Sequence, residues 1–207
     1  MTSDSSGTAE LAESLFRIGA LRFGKFSLAS GRQSSYYLDL RIIPTFPDVY
    51  GMAVGRYRSI LEAIGVREFD AIVGVATAGV TISSPVAYVM KKPMLYARKE
   101  EKGHGLGRQV EGAVTPGWRC VVIDDLVTSG GSVISAVEAL RKAGCRVEHA
   151  TVLVDRLEGG EENLAEVGVK LHSSARITDL VDVLFQANKI TKKDHDSVLK
   201  QVEAGAR

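Results

Sequence analysis

The sequence predicts a doubly wound α/β domain, in which a mainly parallel sheet is flanked by helices and carries a small N-terminal extension. From Asp70 onward, four short apolar runs alternate with helix-length segments, and the runs lie at 71–75, 93–97, 120–123 and 147–154. Continuous apolar strands separated by helices are typical of a parallel sheet that is covered on both faces. A length of 207 residues suits one such domain with an appendage.

The N-terminal part is expected to begin with a flexible tail over residues 1–8. Apolar residues then recur at helical spacing, which predicts a helix that Thr8 caps and that Gly19 or Gly24 ends. A turn-rich stretch follows, and the next apolar residues predict a strand over 36–40. These elements precede the predicted sheet and form the extension.

Further helices are predicted before, between and after the strands of the sheet. Asp48 is expected to cap a long helix that ends at Gly65. The later helices are predicted at 80–90, 132–143, 178–186 and 191–202. A shorter apolar run at 169–172 is expected to add an edge strand, which completes the α/β pattern.

Charge and composition exclude several classes of protein. The chain has 26 Lys and Arg residues against 25 Asp and Glu, so its net charge of +1 lacks the basic excess of a general nucleic-acid binder. No segment approaches the roughly 18 apolar residues of a membrane span, and the N-terminus does not resemble a signal peptide. Cys120 and Cys145 form no CxxC pair, which favours buried thiols over zinc ligands. We therefore expect a cytoplasmic protein that binds neither nucleic acid nor a membrane.

The strongest functional signal is a strand that delivers Asp124 and Asp125 to a loop rich in hydroxyl groups and glycine, which a helix follows. Such a loop can direct backbone N–H groups toward one phosphate, with the positive end of the helix behind them. We call it the cradle loop; its residues are Leu126, Val127, Thr128, Ser129, Gly130, Gly131 and Ser132. The acids fit the vicinal hydroxyls of a ribose, or Mg²⁺ bound through water. The alternative is an ordinary turn in which one acid only caps the helix.

A second signal follows the strand at 93–97, where cations alternate with glycines over residues 98–108, here called the lid. Glycines at this spacing favour a segment that opens and closes. Its cations suit a highly charged anion such as diphosphate, and they are Arg98, Lys99, Lys102, His104 and Arg108. The alternative is a solvated surface hairpin.

Four further residues are candidates for binding a flat, oxygen-rich ligand. Arg156 follows the strand at 147–154, and a guanidinium group there can form paired hydrogen bonds with a planar anion. Lys25 precedes a turn, whereas Tyr36 and Tyr37 can present a ring face or backbone groups to such a ligand. Considered singly, Arg156 is almost as well explained by a surface ion pair, whereas residues such as Lys25, Tyr36 and Tyr37 are more often packing residues than ligands.

Together these segments resemble a known enzyme family. The strand, the acid pair and the cradle loop are similar to the phosphoribosyl diphosphate signature of the type I phosphoribosyltransferases. Within that family, the order and spacing of 25–32, 35–37, 98–105 and 155–156 resemble the orotate phosphoribosyltransferases. The resemblance implies transfer of a 5-phosphoribosyl group from phosphoribosyl diphosphate to orotate, which gives orotidine 5'-phosphate and diphosphate in de novo pyrimidine biosynthesis.

The resemblance also implies an organisation of the chain. Residues 9–207 would form one phosphoribosyltransferase domain, in which 9–69 are the N-terminal extension and hood, 70–175 the core sheet and 176–207 the C-terminal helices. It further implies a homodimer whose lids reach into the partner's site, and Mg²⁺ bound mainly through the diphosphate substrate and water rather than by protein ligands. A complex with the next pathway enzyme is compatible with this organisation.

Roles for individual residues follow from the resemblance alone. Catalysis would fall to Lys102, His104 and Asp125. Arg98, Lys102 and His104 would serve the partner's site, whereas Lys99 would stay with its own. Asp124 and Asp125 would hold the ribose hydroxyls, and Thr128 to Ser132 the 5-phosphate. The orotate site would comprise Lys25, Tyr36, Tyr37, Thr128 and Arg156.

One loop departs from the family pattern. Many bacterial members carry a Tyr-Lys pair after the first core strand, whereas residues 76–79 of this chain contain no cation. Any contact of this loop with diphosphate must come from backbone N–H groups or from Thr77. Two rival functions are a sensor that binds phosphoribosyl diphosphate without catalysis and a purine phosphoribosyltransferase. The lid cations argue against the sensor, and the orotate-side residues argue against the purine enzyme.

Overall fold

The structure, a computed structural model, describes residues 5–27, 31, 33–98 and 109–205. Its centre is a seven-stranded sheet, and a separate two-stranded antiparallel hairpin lies in the N-terminal part. The strands are β1 Leu21–Ser27, β2 Gln33–Leu38, β3 Ala71–Val75, β4 Met94–Ala97, β5 Val110–Glu111, β6 Arg119–Ile123, β7 Leu126–Val127, β8 Arg146–Asp155 and β9 Lys170–Arg176. The helices are α1 Ser5–Arg17, α2 Pro47–Ile64, α3 Ala78–Met90, α4 Gly131–Lys142, α5 Gly160–Glu166, α6 Ile177–Gln186 and α7 Lys192–Gly205, with a 3₁₀ helix at Leu40–Thr45.

The sheet is parallel except for the short strand β5, which pairs antiparallel with β4. Its order is β5-β4-β3-β6-β8, with β7 pairing to β8 beyond the end of β6 and β9 along the other edge of β8. The chain therefore leaves β3 toward one side of the sheet and β6 toward the other. A ligand site is expected between the carboxyl ends of two strands that diverge in this way.

Apolar residues pack on both faces of the sheet, as the continuous runs require. One cluster joins Ile72 and Ile123 of the sheet to Val86 of α3, and it continues into α1, α2, α6 and the N-terminal hairpin. The other joins Val73 and Val122 to α4 and includes the buried thiols of Cys120 and Cys145. Helices α3 and α4 thus cover opposite faces, which confirms the predicted doubly wound fold.

Several predicted boundaries were wrong. Thr8 does not cap α1, because the helix already includes Ser5. Asp48 lies in the first turn of α2 and not at its cap, because Pro47 begins the helix and Phe46 precedes it. The strand expected at 36–40 ends at Leu38, where a 3₁₀ helix with Asp39 as its cap takes over.

Within the described ranges, every helix is too short or too polar to cross a lipid bilayer.

Candidate functional site

A cavity of about 450 Å³ opens where β3 and β6 diverge, at the carboxyl ends of the sheet strands. Its wall is formed by four segments: the end of β3 and the start of α3, the acid pair after β6, the cradle loop, and the residues that follow β2. The lining residues are Leu38–Arg41, Val75–Ala78, Asp124–Thr128 and Gly130–Val133. The sequence signals centred on Asp124 therefore meet at the expected place in the fold.

The acid pair is held by hydrogen bonds from the backbone that follows it. An Asp124 carboxylate oxygen accepts a hydrogen bond from the Asp125 N–H group at 3.0 Å, and Asp125 does the same with Leu126 N–H at 2.9 Å. The buried Tyr57 hydroxyl of α2 donates to the Asp124 carbonyl oxygen at 2.6 Å. These bonds fix the orientation of both carboxyl groups at the cavity wall.

Burial raises the pKa of Asp125 above its ordinary value. The Leu126 N–H bond and the positive charge of Arg41 act in the opposite direction, because both favour the ionised carboxylate. The charge of Asp125 at a given pH therefore depends on its burial, on the Leu126 N–H group and on Arg41.

Close packing leaves no room for side chains at two glycines around this wall. A Cβ atom on Gly79, at the start of α3, would lie 2.4 Å from the carbonyl oxygen of Ile123. A Cβ atom on Gly160, at the start of α5, would lie 2.5 Å from the carbonyl oxygen of Thr128. Each helix can approach the end of a strand only because glycine occupies the contact.

The cradle loop turns into α4 through Gly130, whose φ of 81° lies in the left-handed region that favours glycine. Thr128, Gly130, Gly131 and Ser132 line the cavity beside the first turn of α4. The carbonyl oxygen of Ser129 accepts a hydrogen bond from the side-chain amide of Asn163 at 2.9 Å. Since α4 has twelve residues and begins at the cavity, its positive end favours an anion there.

Tyr36 and Arg156 are brought together although 120 residues separate them. Arg156 Nε donates to the Tyr36 hydroxyl oxygen at 2.9 Å, and the guanidinium group lies 5.0 Å from the centre of the tyrosine ring. Arg156 Nη2 also lies 2.8 Å from a carboxylate oxygen of Glu158. Tyr36 is 1% exposed and Arg156 8% exposed, and burial raises the pKa of the Tyr36 hydroxyl. This pair is a second, separate part of the candidate site.

The other orotate-side candidates lie on the N-terminal hairpin. Lys25 is exposed on β1. The Tyr37 ring lies 5.6 Å from the ring of Phe26, and the guanidinium group of Arg22 lies 5.1 Å from its centre. Lys25, Tyr36, Tyr37 and Arg156 are not among the described residues that line the 450 Å³ cavity.

Arg98 lies at the base of the lid, directly after β4. Its backbone N–H group donates to the carbonyl oxygen of Gln109 at 2.9 Å, and the Gln109 amide donates to the Arg98 carbonyl oxygen at 3.0 Å. Arg98 Nε lies 3.1 Å from a carboxylate oxygen of Glu111. These contacts join Arg98 to residues that follow the lid, whereas Lys99, Lys102 and His104 lie outside the described residues.

Arg41 is a cavity residue that sequence reasoning missed. It forms a paired contact with Asp39, from Nε at 2.7 Å and from Nη2 at 2.9 Å, and it lowers the pKa of that carboxyl group. Among the described lining residues it is the one cation, and its positive charge acts to lower the pKa of Asp125. The signal in the sequence was an Arg two positions after an Asp at the end of a strand.

Comparisons with known proteins give one consistent result. A family model described as "Phosphoribosyl transferase domain" matches residues 52–185. An orotate phosphoribosyltransferase of Cenarchaeum symbiosum is 42% identical over 190 residues, which cover 91% of this chain and 93% of that protein. The crystal structure of orotate phosphoribosyltransferase from Aeropyrum pernix matches with a TM-score of 0.76 and 39% identity, over 87% of this chain and 99% of that one.

A longer protein contains the same fold as one part. The structure of Leishmania donovani UMP synthase matches with a TM-score of 0.86 and 32% identity. The match covers 97% of this chain but 43% of that one.

Proposed function

The chain belongs to the phosphoribosyltransferase family, in its orotate phosphoribosyltransferase branch, and from that premise we propose how its residues divide the reaction. The enzyme transfers the phosphoribosyl group from phosphoribosyl diphosphate to orotate in pyrimidine biosynthesis. The observation that carries the assignment of roles is the 450 Å³ cavity between the ends of β3 and β6, where an acid pair and the N-terminus of α4 share one wall.

The cradle loop binds the 5-phosphate of the substrate in this proposal. Thr128 and Ser132 supply hydroxyl groups, and the backbone N–H groups that begin α4 supply further donors. Asp124 and Asp125 accept hydrogen bonds from the ribose hydroxyls, because a carboxylate can accept more than one such bond. The fixed orientation of both acids supports this role, since their backbone contacts hold them before the sugar arrives.

Bond breaking places positive charge on the ribose and negative charge on the leaving diphosphate. A pyrimidine nitrogen of orotate forms the new bond to C1, and the diphosphate leaves with the electron pair of the broken C–O bond. Orotate attacks as an anion, so stabilising the leaving group contributes more than a strong base. Lys102, His104 and Arg98 serve that purpose, and the carboxylate of Asp125 stabilises the cationic sugar.

Orotate is held on the side of the N-terminal hairpin, by Arg156, Lys25, the backbone at Tyr36 and Tyr37, and Thr128. Arg156 supports this role because Tyr36 and Glu158 fix its guanidinium group from two directions. A buried and oriented cation binds a planar carboxylate with less loss of side-chain freedom than an exposed one.

Magnesium fits this site as a partner of the substrate. Within the described residues, no group of three or more His, Cys, Asp or Glu side chains is placed to hold a metal, whereas the acid pair offers oxygen donors at the cavity wall. Asp124 and Asp125 would therefore hold Mg²⁺ through water while the diphosphate supplies the direct ligands. The ion supplies neutralisation of charge on the leaving group.

The working unit in this proposal is a homodimer in which each lid closes over the partner's cavity. Lid closure also excludes water, which would otherwise consume the reactive sugar. The fusion found in UMP synthase of Leishmania donovani supports an association with the next pathway enzyme. The cytoplasmic location remains a prediction.

A panel of nucleobases tests the proposal. The protein is incubated with phosphoribosyl diphosphate and Mg²⁺ in the presence of orotate, hypoxanthine or adenine, and diphosphate release is measured. We expect turnover with orotate alone. Turnover with a purine would contradict the orotate assignment, and binding of phosphoribosyl diphosphate without any turnover would favour the sensor.

A further inference from the structure

The C-terminal helix α7 contacts both strand β2, which carries Tyr36, and the loop that carries Arg156, although these two segments are far apart in the sequence. We propose that Gln201 of α7 is a positioning residue, which holds strand β2 so that Tyr36 can orient Arg156 toward orotate. The inference rests on the proposed function, because it assumes that Tyr36 and Arg156 belong to the orotate site. It adds a role for a residue outside every segment that pointed to phosphoribosyl transfer.

The side chain of Gln201 forms hydrogen bonds from α7 to β2. Gln201 Oε1 accepts hydrogen bonds from the Ser35 N–H group at 2.8 Å and from the Ser35 hydroxyl at 2.9 Å. Gln201 Nε2 donates to the Ser34 hydroxyl oxygen at 3.0 Å. Gln201 therefore satisfies both ends of its amide group on two adjacent residues of β2.

The hydrogen bonds continue from Ser34 to Arg156. The Ser34 hydroxyl, which is buried, donates to the carbonyl oxygen of Tyr36 at 2.7 Å. The Tyr36 hydroxyl accepts from Arg156 Nε at 2.9 Å. An unbroken series of contacts thus links the C-terminal helix to the guanidinium group.

The last turn of α7 lies against the loop that carries Arg156. Val202 and Gly205 share a depression with Asp155, Leu157 and the start of α5. A Cβ atom on Gly205 would lie 3.9 Å from Cγ of Glu158, the residue whose carboxylate contacts Arg156. Helix α7 therefore braces the tyrosine side and the arginine side of the pair together.

This arrangement matters because a buried guanidinium group has few alternative partners. If β2 moves away from β8, Tyr36 leaves Arg156 Nε without its acceptor inside the protein, which is costly. A tight brace on β2 consequently fixes where Arg156 lies before orotate binds. Binding of phosphoribosyl diphosphate uses the other part of the site and depends little on this brace.

The test compares the effect of one substitution on the KM for orotate with its effect on the KM for phosphoribosyl diphosphate. Gln201→Met keeps the length of the side chain and its helix propensity but removes the amide contacts. We expect the KM for orotate to rise about three- to tenfold, the range for losing one or two modest hydrogen bonds. The KM for phosphoribosyl diphosphate and kcat should stay within about twofold, which general loosening of the protein would not produce.

Two further variants complete the test. Gln201→Glu keeps the acceptor for Ser35 and loses the donor to Ser34, so its KM for orotate should lie between those of the parent and Gln201→Met. Glu203→Ala changes an exposed residue of the same helix and should match the parent. If Gln201→Met does not fold, Gln201→Glu decides alone, with a raised orotate KM expected.

Each contrary result has a distinct meaning. A parent enzyme that turns over orotate together with unchanged orotate KM values in the Gln201 variants would overturn this inference and leave the proposed function intact. Equal rises in both KM values would also overturn it, since they would indicate a general structural role. A parent that does not use orotate would overturn both.

Discussion

Arg41 brings positive charge to a cavity wall whose other described charged residues are acids. Its contact with Asp39 occupies Nε and Nη2, while the side chain as a whole stays 66% exposed. A guanidinium group held in this way is oriented and still accessible to an anionic substrate. Arg41 thus supplies a cation that residues 76–79 lack.

Replacing Arg41 should weaken binding of phosphoribosyl diphosphate. We expect Arg41→Gln to raise its KM about five- to tenfold, because the variant loses one accessible charge-assisted contact. Initial rates at saturating orotate measure the change, and Arg41→Lys should recover part of it. An unchanged KM for phosphoribosyl diphosphate in Arg41→Gln would show that Arg41 only stabilises the 3₁₀ helix.

The same substitution should move the pH dependence of the reaction. Burial raises the pKa of Asp125 and the charge of Arg41 lowers it, so removing that charge raises the pKa further. If catalysis needs ionised Asp125, the acid limb of kcat/KM must move to higher pH in Arg41→Gln. A profile of kcat/KM against pH measures the shift, and a limb that stays in place or moves to lower pH would rule out this coupling.

Lys102 is the lid residue assigned to the leaving diphosphate. We expect Lys102→Ala to lower the single-turnover rate by at least about a hundredfold, the lower range for losing one oriented donor. Rapid-quench measurements follow the chemical step directly. Lys170→Ala, a change at an exposed position at the start of β9, serves as the matched control. Equal rates for Lys102→Ala and the parent would remove Lys102 from the mechanism.

At the level of elements, α5 packs against the cradle loop. The absence of a side chain at Gly160 allows α5 to approach Thr128 and Val127, and Asn163 adds a hydrogen bond to Ser129. Both contacts come from a helix of seven residues that the sequence patterns did not predict. The shape of the proposed phosphate site therefore depends on an element outside the cradle loop.

Adding one methyl group at Gly160 should disturb this support. A Cβ atom there would lie 2.6 Å from Val127 Cγ2 as well as 2.5 Å from the Thr128 oxygen, so the loop must shift. We expect Gly160→Ala to lower stability by about 1–3 kcal/mol and to raise the KM for phosphoribosyl diphosphate. Thermal unfolding and initial rates measure the two effects.

Gly51→Ala provides the control for that prediction. Gly51 lies inside α2 with open space around its Cα, so alanine should stabilise the protein by about 0.5–1 kcal/mol without kinetic effect. A Gly160→Ala variant that behaves like Gly51→Ala would show that α5 can adjust without moving the loop.

The sheet was predictable because its signal is local. Strand β3, Ala71–Val75, is buried along its whole length, and a strand buried in this way needs a continuous run of apolar residues in the sequence. Strand β1 was not predicted, because most of its residues are exposed or half-buried and include Arg22, Gly24 and Lys25. The pattern of buried and exposed residues there reflects pairing with β2 rather than a core position.

The candidate site was predictable only in part, for a related reason. Asp124, Asp125 and the cradle loop are contiguous in the sequence, so their shared chemistry is visible there. The contact of Tyr36 with Arg156, and that of Gln201 with Ser34 and Ser35, join residues that lie far apart along the chain. Such pairs depend on how β2 lies relative to α7 and to the residues that follow β8, which no local pattern encodes.

At the level of the whole molecule, the balanced charge separates into opposing parts of the site. Three acids lie at the cavity wall, namely Asp39, Asp124 and Asp125, whereas residues 98–108 of the lid supply the cations Arg98, Lys99, Lys102, His104 and Arg108. In the proposed mechanism, the lid cations therefore add to Arg41 and Mg²⁺ in neutralising the bound diphosphate. In the proposed dimer, that lid comes from the partner subunit.

Mixing two inactive variants tests whether the lids cross between subunits. Lys102→Ala damages the lid, and Asp125→Ala damages the wall of the cavity. If each site combines its own acids with the partner's lid, a mixed dimer contains one intact site of its two. Random exchange makes about half of the dimers mixed, so about a quarter of the parent activity should return.

The control for this experiment mixes Lys102→Ala with His104→Ala. Both changes lie in the lid, so every site of a mixed dimer meets one damaged lid and activity should stay low. Exchange of subunits is verified separately by mixing differently tagged copies and measuring the mixed species. If exchange is verified but the Lys102→Ala and Asp125→Ala pair recovers no activity, each site closes within one chain. The acids and the lid cations of one site would then belong to the same subunit.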